Sequence, residues 1–238
     1  MYGHRARIGY TSPPAVTETF AYEFYRIVPD GVTLALSTLN IVHMTQDELA
    51  EGARMSLDCA RLMAATDVDV IVLGGVPLNL ALGVDDLDGT LQSLEDELGI
   101  PVTCSLIAQT NALKALGARR LGVGTPFGEG HNIYSEYLPK YGFEIAAQEG
   151  AGRKVINLAT ADHTVAQDLA RRLVERAPDI DTLYYPAPHW GIIETIEPME
   201  REFGINVMTS VQAIVWEGLR KAGVTDTIPG YGKLLRDF

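Results

Sequence analysis

The sequence is short of cysteine, of positive charge and of long apolar runs. Its 238 residues include two cysteines, Cys59 and Cys104. That is too few for the disulfide framework of a small secreted domain and fits a reducing cytoplasm. Nineteen basic residues face 31 acidic ones, a formal net charge of −12. Such a surface repels phosphate, and no Lys/Arg-rich run offsets it locally, which excludes a nucleic-acid partner. No apolar run approaches the ~20 residues that span a bilayer, and residues 1–10 lack a signal-peptide core. These absences point to a cytoplasmic protein without a membrane partner. What is present is 47% hydrophobic and 21% charged residue content, enough to bury a core in one large domain or two small ones.

Apolar strand-type runs alternate with helix-period stretches along the whole chain. Residues 7–10 open as a strand and run into the turn Thr11-Ser12-Pro13-Pro14, followed by a helix to about residue 27 and a strand at 32–36. Thr45 with Glu48 three residues on forms a capping box that starts a helix to about residue 65. Residues 68–73 (VDVIVL) read as a central strand buried on both faces. Strands are then expected at 102–104, 121–124, 182–185 and 207–209. Helices are expected at 87–98, 107–116, 130–140, 164–176, 193–203 and 211–222. The alternation predicts parallel βαβ units and an α/β class.

Two segments repeat one design. The first has Asp67 and Asp69, a strand, Leu73-Gly74-Gly75, a helix, Gly99-Ile100, then Val102 to Ser105 and a helix ending near Gly117. The second has Asp179 and Asp181, a strand, Tyr185-Pro186-Ala187, a helix, Gly204-Ile205, then Val207 to Ser210 and a helix ending near Gly223. The repeat predicts two similar parallel-sheet lobes about a pseudo-twofold axis. The first lobe takes residues 1–115 and 211–238, and the second takes 116–210. Ligands of such sheets bind beyond the carboxyl ends of the strands. That sets Gly74-Gly75-Val76-Pro77 against Pro186-Ala187-Pro188-His189 across one cleft.

With these loops in view, the chain resembles the aspartate/glutamate racemase superfamily, in its arylmalonate decarboxylase and maleate cis-trans isomerase branch. The likeness rests on an ordered set: Ile8 to Pro14, Tyr25 to Gly31, Val72-Leu73-Gly74, Ala115 to Arg120 and Pro229 to Leu234. The double proline Pro13-Pro14 and the Pro-Gly-Tyr-Gly ending are more similar to the decarboxylase. The resemblance implies cofactor-independent chemistry on a small carboxylate or dicarboxylate. A thiol from one or both cleft loops moves a proton at the carbon beside a carboxylate. A nest of backbone N–H groups and hydroxyls stabilises the enediolate. It leaves a homo-oligomer open.

The chain departs from that pattern at the thiols. The resemblance places the first-lobe cysteine position at Gly74, as in the decarboxylase, and the second-lobe position at Ala187. Family hydroxyls become Gly75 and Val76, and a tyrosine that closes the carboxylate nest becomes Phe127. Cys59 reads as a small hydrophobe within a helix, and Cys104, at a strand end, as an unactivated buried thiol. The cleft gains polarity instead: His189, two residues past Ala187; Asn40 and His43 on one loop; His131 and Asn132 on another. Histidine exchanges a proton near neutral pH without special tuning.

The candidate site therefore has His189 as proton donor. Ser12, Pro14, Asn40, His43, Gly74, Gly75, Val76, Thr125, Phe127, Ala187 and Pro188 are its substrate-binding residues. Thr125, Thr209 and Ser210 either bind a carboxylate or cap the helices that follow. A metal held by His43, His131 and His189, with Glu129 or Glu194, lacks any supporting spacing such as HxxxH, so no metal or other cofactor is expected. Asp85, Asp86 and Asp88 read as a charged helix start. The expected activity is a decarboxylase-like lyase. The alternatives are a maleate-type isomerase or racemase, a non-catalytic carboxylate-binding protein, and a repurposed hydrolase.

Overall fold

The computed structural model describes residues 2–83, 86–128, 133–154 and 157–238. Two four-stranded parallel sheets carry the chain, an α/β fold. The first has the order β2-β1-β3-β4, built from β1 (Ala6–Pro14), β2 (Val32–Ile41), β3 (Val70–Leu73) and β4 (Val102–Cys104). The second has the order β6-β5-β7-β8, from β5 (Arg120–Thr125), β6 (Glu144–Gly150), β7 (Thr182–Tyr185) and β8 (Asn206–Thr209). The two orders are the same when strands are counted from the start of each half. Every residue of β3 and β7 is buried, as expected of central strands covered by helices on both faces.

The helices before the second sheet are α1 (Thr19–Ile27), α2 (Gln46–Ala64), α3 (Val76–Ala81), α4 (Leu87–Leu98) and α5 (Ser105–Ala115). Later in the chain come α6 (Ile133–Tyr137), α7 (Thr164–Arg176), α8 (Ile196–Phe203), α9 (Ser210–Lys221) and α10 (Lys233–Asp237). The capping box of α2 forms as expected: Thr45 Oγ1 accepts from Glu48 N–H at 3.2 Å and Glu48 Oε2 accepts from Thr45 N–H at 3.4 Å. No described helix is long and apolar enough to cross a membrane.

Helix α9 leaves the second sheet and returns to the first. A Cβ on its Gly218 would stand 3.2 Å from Ile8 of β1 and 3.8 Å from Val72 of β3. One apolar core joins β1, β3 and α1 to α7, β7, α8 and α9, and a second joins β4 and α5 to β5 and α6. The apolar packing is therefore continuous between the sheets, which holds the carboxyl ends of β3 and β7 in one relation.

Four local features differ from expectation. The Thr11–Pro14 segment is not a turn, because β1 continues through it, with its register to β2 shifting between Ser12 and Pro14. Strand β6 has no strand-type pattern, since as an edge strand it buries only Ala147. The short α3 was not expected, since Gly75 at φ +81° and Pro77 look like punctuation alone. The helix expected at 130–140 is α6 followed by a tighter 3₁₀ turn at Leu138–Tyr141, its first residues lying outside the described ones.

Candidate active site

The loops after β3 and β7 meet the end of β1 around a cavity of about 70 Å³. Pro13 and Pro14 close it from β1, Gly75 to Leu78 from the loop after β3, and Pro186 to His189 from the loop after β7. Ile41, Met44, Leu49, Phe127, Tyr134 and Leu158 complete the wall. The lining is almost wholly apolar, so charge placed inside would meet few competing dipoles from water. Of the expected site residues, Pro14, Gly75, Val76, Phe127, Ala187, Pro188 and His189 border this cavity.

Others stand elsewhere. Asn40 is exposed and borders a separate recess with Asp47, Glu48 and Gly52. Strand alternation explains this: Ile41 faces inward, so its neighbour Asn40 faces out. His43 is also exposed, and its N–H is held by Glu48 Oε2 at 2.8 Å, as part of the α2 start. Thr125 is buried and its hydroxyl accepts the Phe127 N–H at 3.3 Å. Thr209 caps α9 in a second capping box with Gln212, the structural alternative of the two given for it. Ser210 Oγ is buried without a hydrogen-bond partner among the described residues. His131, Asn132, Glu129 and Asp85 lie outside the described residues. Among the described residues, no three His, Cys, Asp or Glu side chains converge as a metal site would require.

His189 is a titratable group in the cavity wall with built-in partners. It is 6% exposed. Nδ1 lies 2.9 Å from Thr17 Oγ1, and Nε2 lies 3.5 Å from Ser12 Oγ. The ring also faces Phe20, with centroids 6.4 Å apart. Burial pulls its pKa down to about 3, because a low-dielectric surround disfavours the charged form. At this burial the imidazole is neutral, with one nitrogen donating and the other accepting.

The glycine loop is more committed than its sequence implied. Gly74 N–H donates to Thr11 Oγ1 at 3.0 Å, and Gly75 N–H donates to Ser105 Oγ at 3.2 Å. Both amides are therefore already satisfied by side chains. A Cβ at Gly74 would fall 1.9 Å from the Thr11 carbonyl oxygen, so glycine there is a packing requirement. Buried Asn79 fixes the same loop, donating to Leu73 O at 3.2 Å and accepting from Leu106 N–H at 3.1 Å. Of the three residues expected to bind substrate here, that leaves the amide of Val76, which opens α3, where a helix's first N–H groups have no partner within the helix.

Polar residues that escaped the sequence reading include Tyr134 of the cavity wall, Thr17 and Glu23. Thr17 stands beyond the double proline in no motif, and no local signal marks it. Glu23 did leave a signal: it interrupts the apolar stripe Phe20, Phe24, Ile27 at helical spacing, and it is 3% exposed. Neither cysteine enters the cavity. Cys104 is buried at the end of β4, where burial pushes its thiol up to about 12, and Cys59 is half-buried on α2.

The whole chain can be set beside known proteins. The family model for arylmalonate decarboxylase matches residues 8–235. Arylmalonate decarboxylase from Bordetella bronchiseptica is 28% identical over 234 residues, 95% of either chain. A solved double mutant of arylmalonate decarboxylase in its liganded form aligns with a TM-score of 0.88 at 26% identity, covering 96% of this chain and 98% of that one. Maleate isomerase Iso from Pseudomonas putida S16 aligns at 0.87 with 21% identity over 98% of each chain, a likeness of fold. With the match running through both sheets and every loop of the cavity, this chain belongs to the arylmalonate decarboxylase family.

Proposed function

We propose that this protein is a cofactor-independent decarboxylase acting on a small dicarboxylate that carries an apolar group, in the manner of an arylmalonate. The observation that carries the reading is His189: a buried imidazole in the cavity wall, two residues beyond the position where the family resemblance places a thiol. The apolar wall takes the substrate's hydrocarbon part. Val76 N–H is the donor for the carboxylate that is kept, whereas Ser12, wholly buried behind the cavity wall, holds His189.

Loss of the other carboxylate breaks a C–C bond and releases CO₂, leaving the electron pair as an enediolate on the remaining carboxylate. The C–H bond that follows takes its proton from His189, and that proton is replaced from solvent, one per turnover. A neutral imidazole is a weak acid, so the ring must take up a proton from solvent as the substrate binds. A dianion beside the ring favours the imidazolium by direct charge attraction and offsets the cost of burial. The apolar surround then serves both steps, because it destabilises separated carboxylates and strengthens the hydrogen bonds to the enediolate. We read the molecule as two lobes, residues 1–115 with 211–238 and residues 116–210. The packing of α9 on β1 and β3 supports that division.

The test is product analysis in D₂O with phenylmalonate and, separately, maleate. The expected result is one CO₂ and one solvent deuteron per phenylmalonate consumed. Conversion of maleate to fumarate without carbon loss would replace the reading with isomerisation. Recovery of both compounds unchanged at high enzyme concentration would reject catalysis on either class.

A further inference from the structure

Glu23 occupies a place where helical periodicity calls for an apolar residue. It lies in the buried stripe of α1 with Phe20, Phe24 and Ile27. Its Oε1 accepts the backbone N–H of Ile193 at 3.1 Å, while Oε2 is buried with no hydrogen-bond partner among the described residues. A half-satisfied buried carboxyl is costly, and an apolar side chain would pack there more favourably. Stability alone does not account for it.

The Glu23–Ile193 bond joins two parts of the chain 170 residues apart. Ile193 opens the turn Ile193–Thr195, directly after the loop that carries His189. Between them is Gly191, where a Cβ would meet Thr19 Cγ2 at 3.3 Å and Glu23 Oε1 at 3.5 Å. Helix α1 thus touches this loop at both ends. Phe20 packs near the His189 ring, and Glu23, one turn later, holds the backbone four residues past it. We propose that Glu23 is a positioning residue for His189, its carboxyl tying α1 to Ile193 so that the imidazole stays between Ser12 and Thr17 at the cavity wall. The catalytic consequence rests on the role given to His189 above; the anchoring itself does not.

The anchor is also placed to respond to pH. A surface crevice of about 360 Å³ adjoins it. Tyr22 and Arg26 face it from α1 and Glu18 from just before that helix, with Glu194 on the turn after the loop and His163 just before α7. Arg26 pairs with Glu194 at 3.0 Å and with the hydroxyls of Tyr22 and Tyr231. Burial raises the Glu23 carboxyl to about 7; Glu194 pushes the same way, and the backbone N–H bonds and Arg26 oppose it.

Two variants test the anchor without any substrate. Glu23→Gln keeps the shape and the acceptor but not the charge; Glu23→Leu removes both. In Glu23→Leu, amide hydrogen exchange over residues 187–193 should quicken at least ~10-fold while β3 stays protected. The His189 ring carbon signals should move in both variants. In the parent they should also show a step between pH 6 and 8 that Glu23→Gln abolishes. A folded Glu23→Leu protein with parental exchange and ring signals would overturn the proposal, as would a pH step that persists in Glu23→Gln. If Glu23→Leu does not fold, the Glu23→Gln titration decides alone. Turnover separates the two readings. Unaltered loop exchange beside a His189→Ala loss of activity removes Glu23 and keeps His189. A loosened loop beside a His189→Ala protein of full activity keeps the anchor and removes His189 from catalysis.

Discussion

Thr17 Oγ1 sits 2.9 Å from Nδ1 of His189, and the two residues are 172 positions apart in the chain. The hydroxyl can donate to or accept from that nitrogen, so it satisfies either neutral tautomer while holding the ring in place. With Ser12 near Nε2, the imidazole has a partner on each side and one preferred orientation.

Substitutions at this pair should separate chemistry from orientation. His189→Ala should lower kcat on the arylmalonate by ~100-fold or more with the fold intact, as expected for loss of a general acid. Thr17→Val should lower kcat by ~10-fold with KM within about twofold, and Thr17→Ser should restore it. Steady-state kinetics and the ¹⁵N shifts of the ring read both effects. Parental kcat in His189→Ala would remove the imidazole from the mechanism.

Two buried titratable groups near the site give opposite dependences of stability on pH. His189 titrates at about 3 in the fold against an ordinary 6.5. Its contribution is complete above about pH 6.5 and is lost as pH falls toward 3, because the unfolded chain binds the proton first. Glu23 titrates at about 7 against an ordinary 4.5. Its burial is most favourable below about pH 4.5 and costs stability as pH rises through 7. Glu23→Gln should therefore raise Tm at pH 8, by the equivalent of about 1–3 kcal/mol, with the gain fading by pH 4.5. His189→Asn should flatten the acid limb between pH 6.5 and 3. Calorimetric scans across pH would expose either expectation, and differences independent of pH would defeat both.

Thiols placed in the two loops should behave differently. Gly74→Cys drives a Cβ into the Thr11 carbonyl oxygen, and backbone cannot yield cheaply, so Tm should fall by 10 °C or more. Ala187 already carries a Cβ at the cavity wall. Ala187→Cys should keep Tm within a few degrees and raise decarboxylation ~10-fold, by returning a thiol to the place where the family resemblance puts one. A folded Ala187→Cys protein with parental turnover would mean that position 187 does not address the reacting carbon.

The natural thiols should be dispensable. Cys104 is fully buried with its pKa raised, so iodoacetamide should leave it unmodified in the folded protein and leave turnover intact. Mass spectrometry of the treated protein, with activity measured on the same sample, checks this. Inactivation that tracks alkylation of Cys104 would assign it a role in the reaction.

Much of the architecture is legible in the sequence. The strand at 182–185, the capping box at Thr45 and Glu48, and the paired turns after Leu73 and Tyr185 are local patterns that depend only on neighbouring residues. Edge strand β6 was silent because it buries a single residue and so needs no apolar pattern. In the site, the loop residues from Gly75 to Val76 and from Ala187 to His189 were legible through the repeat. Asn40 and His43 were misplaced, because the side of a strand or cap to which a residue turns depends on register, and β2 runs five residues further than its apolar run implied.

The sequence alone determined the alternation of strands and helices, the doubling of one design, and the family, since each is carried by contiguous periodicity and by the residues at turns. Tertiary structure alone decided that Thr17 and Ser12 flank His189, that Glu23 reaches Ile193, and that the Gly74 and Gly75 amides are already engaged. Those contacts join residues 30 to 177 positions apart. Their geometry is set by how two sheets and α1 pack, and burial, which makes His189 neutral and Glu23 hard to ionise, exists only once that packing has removed the water.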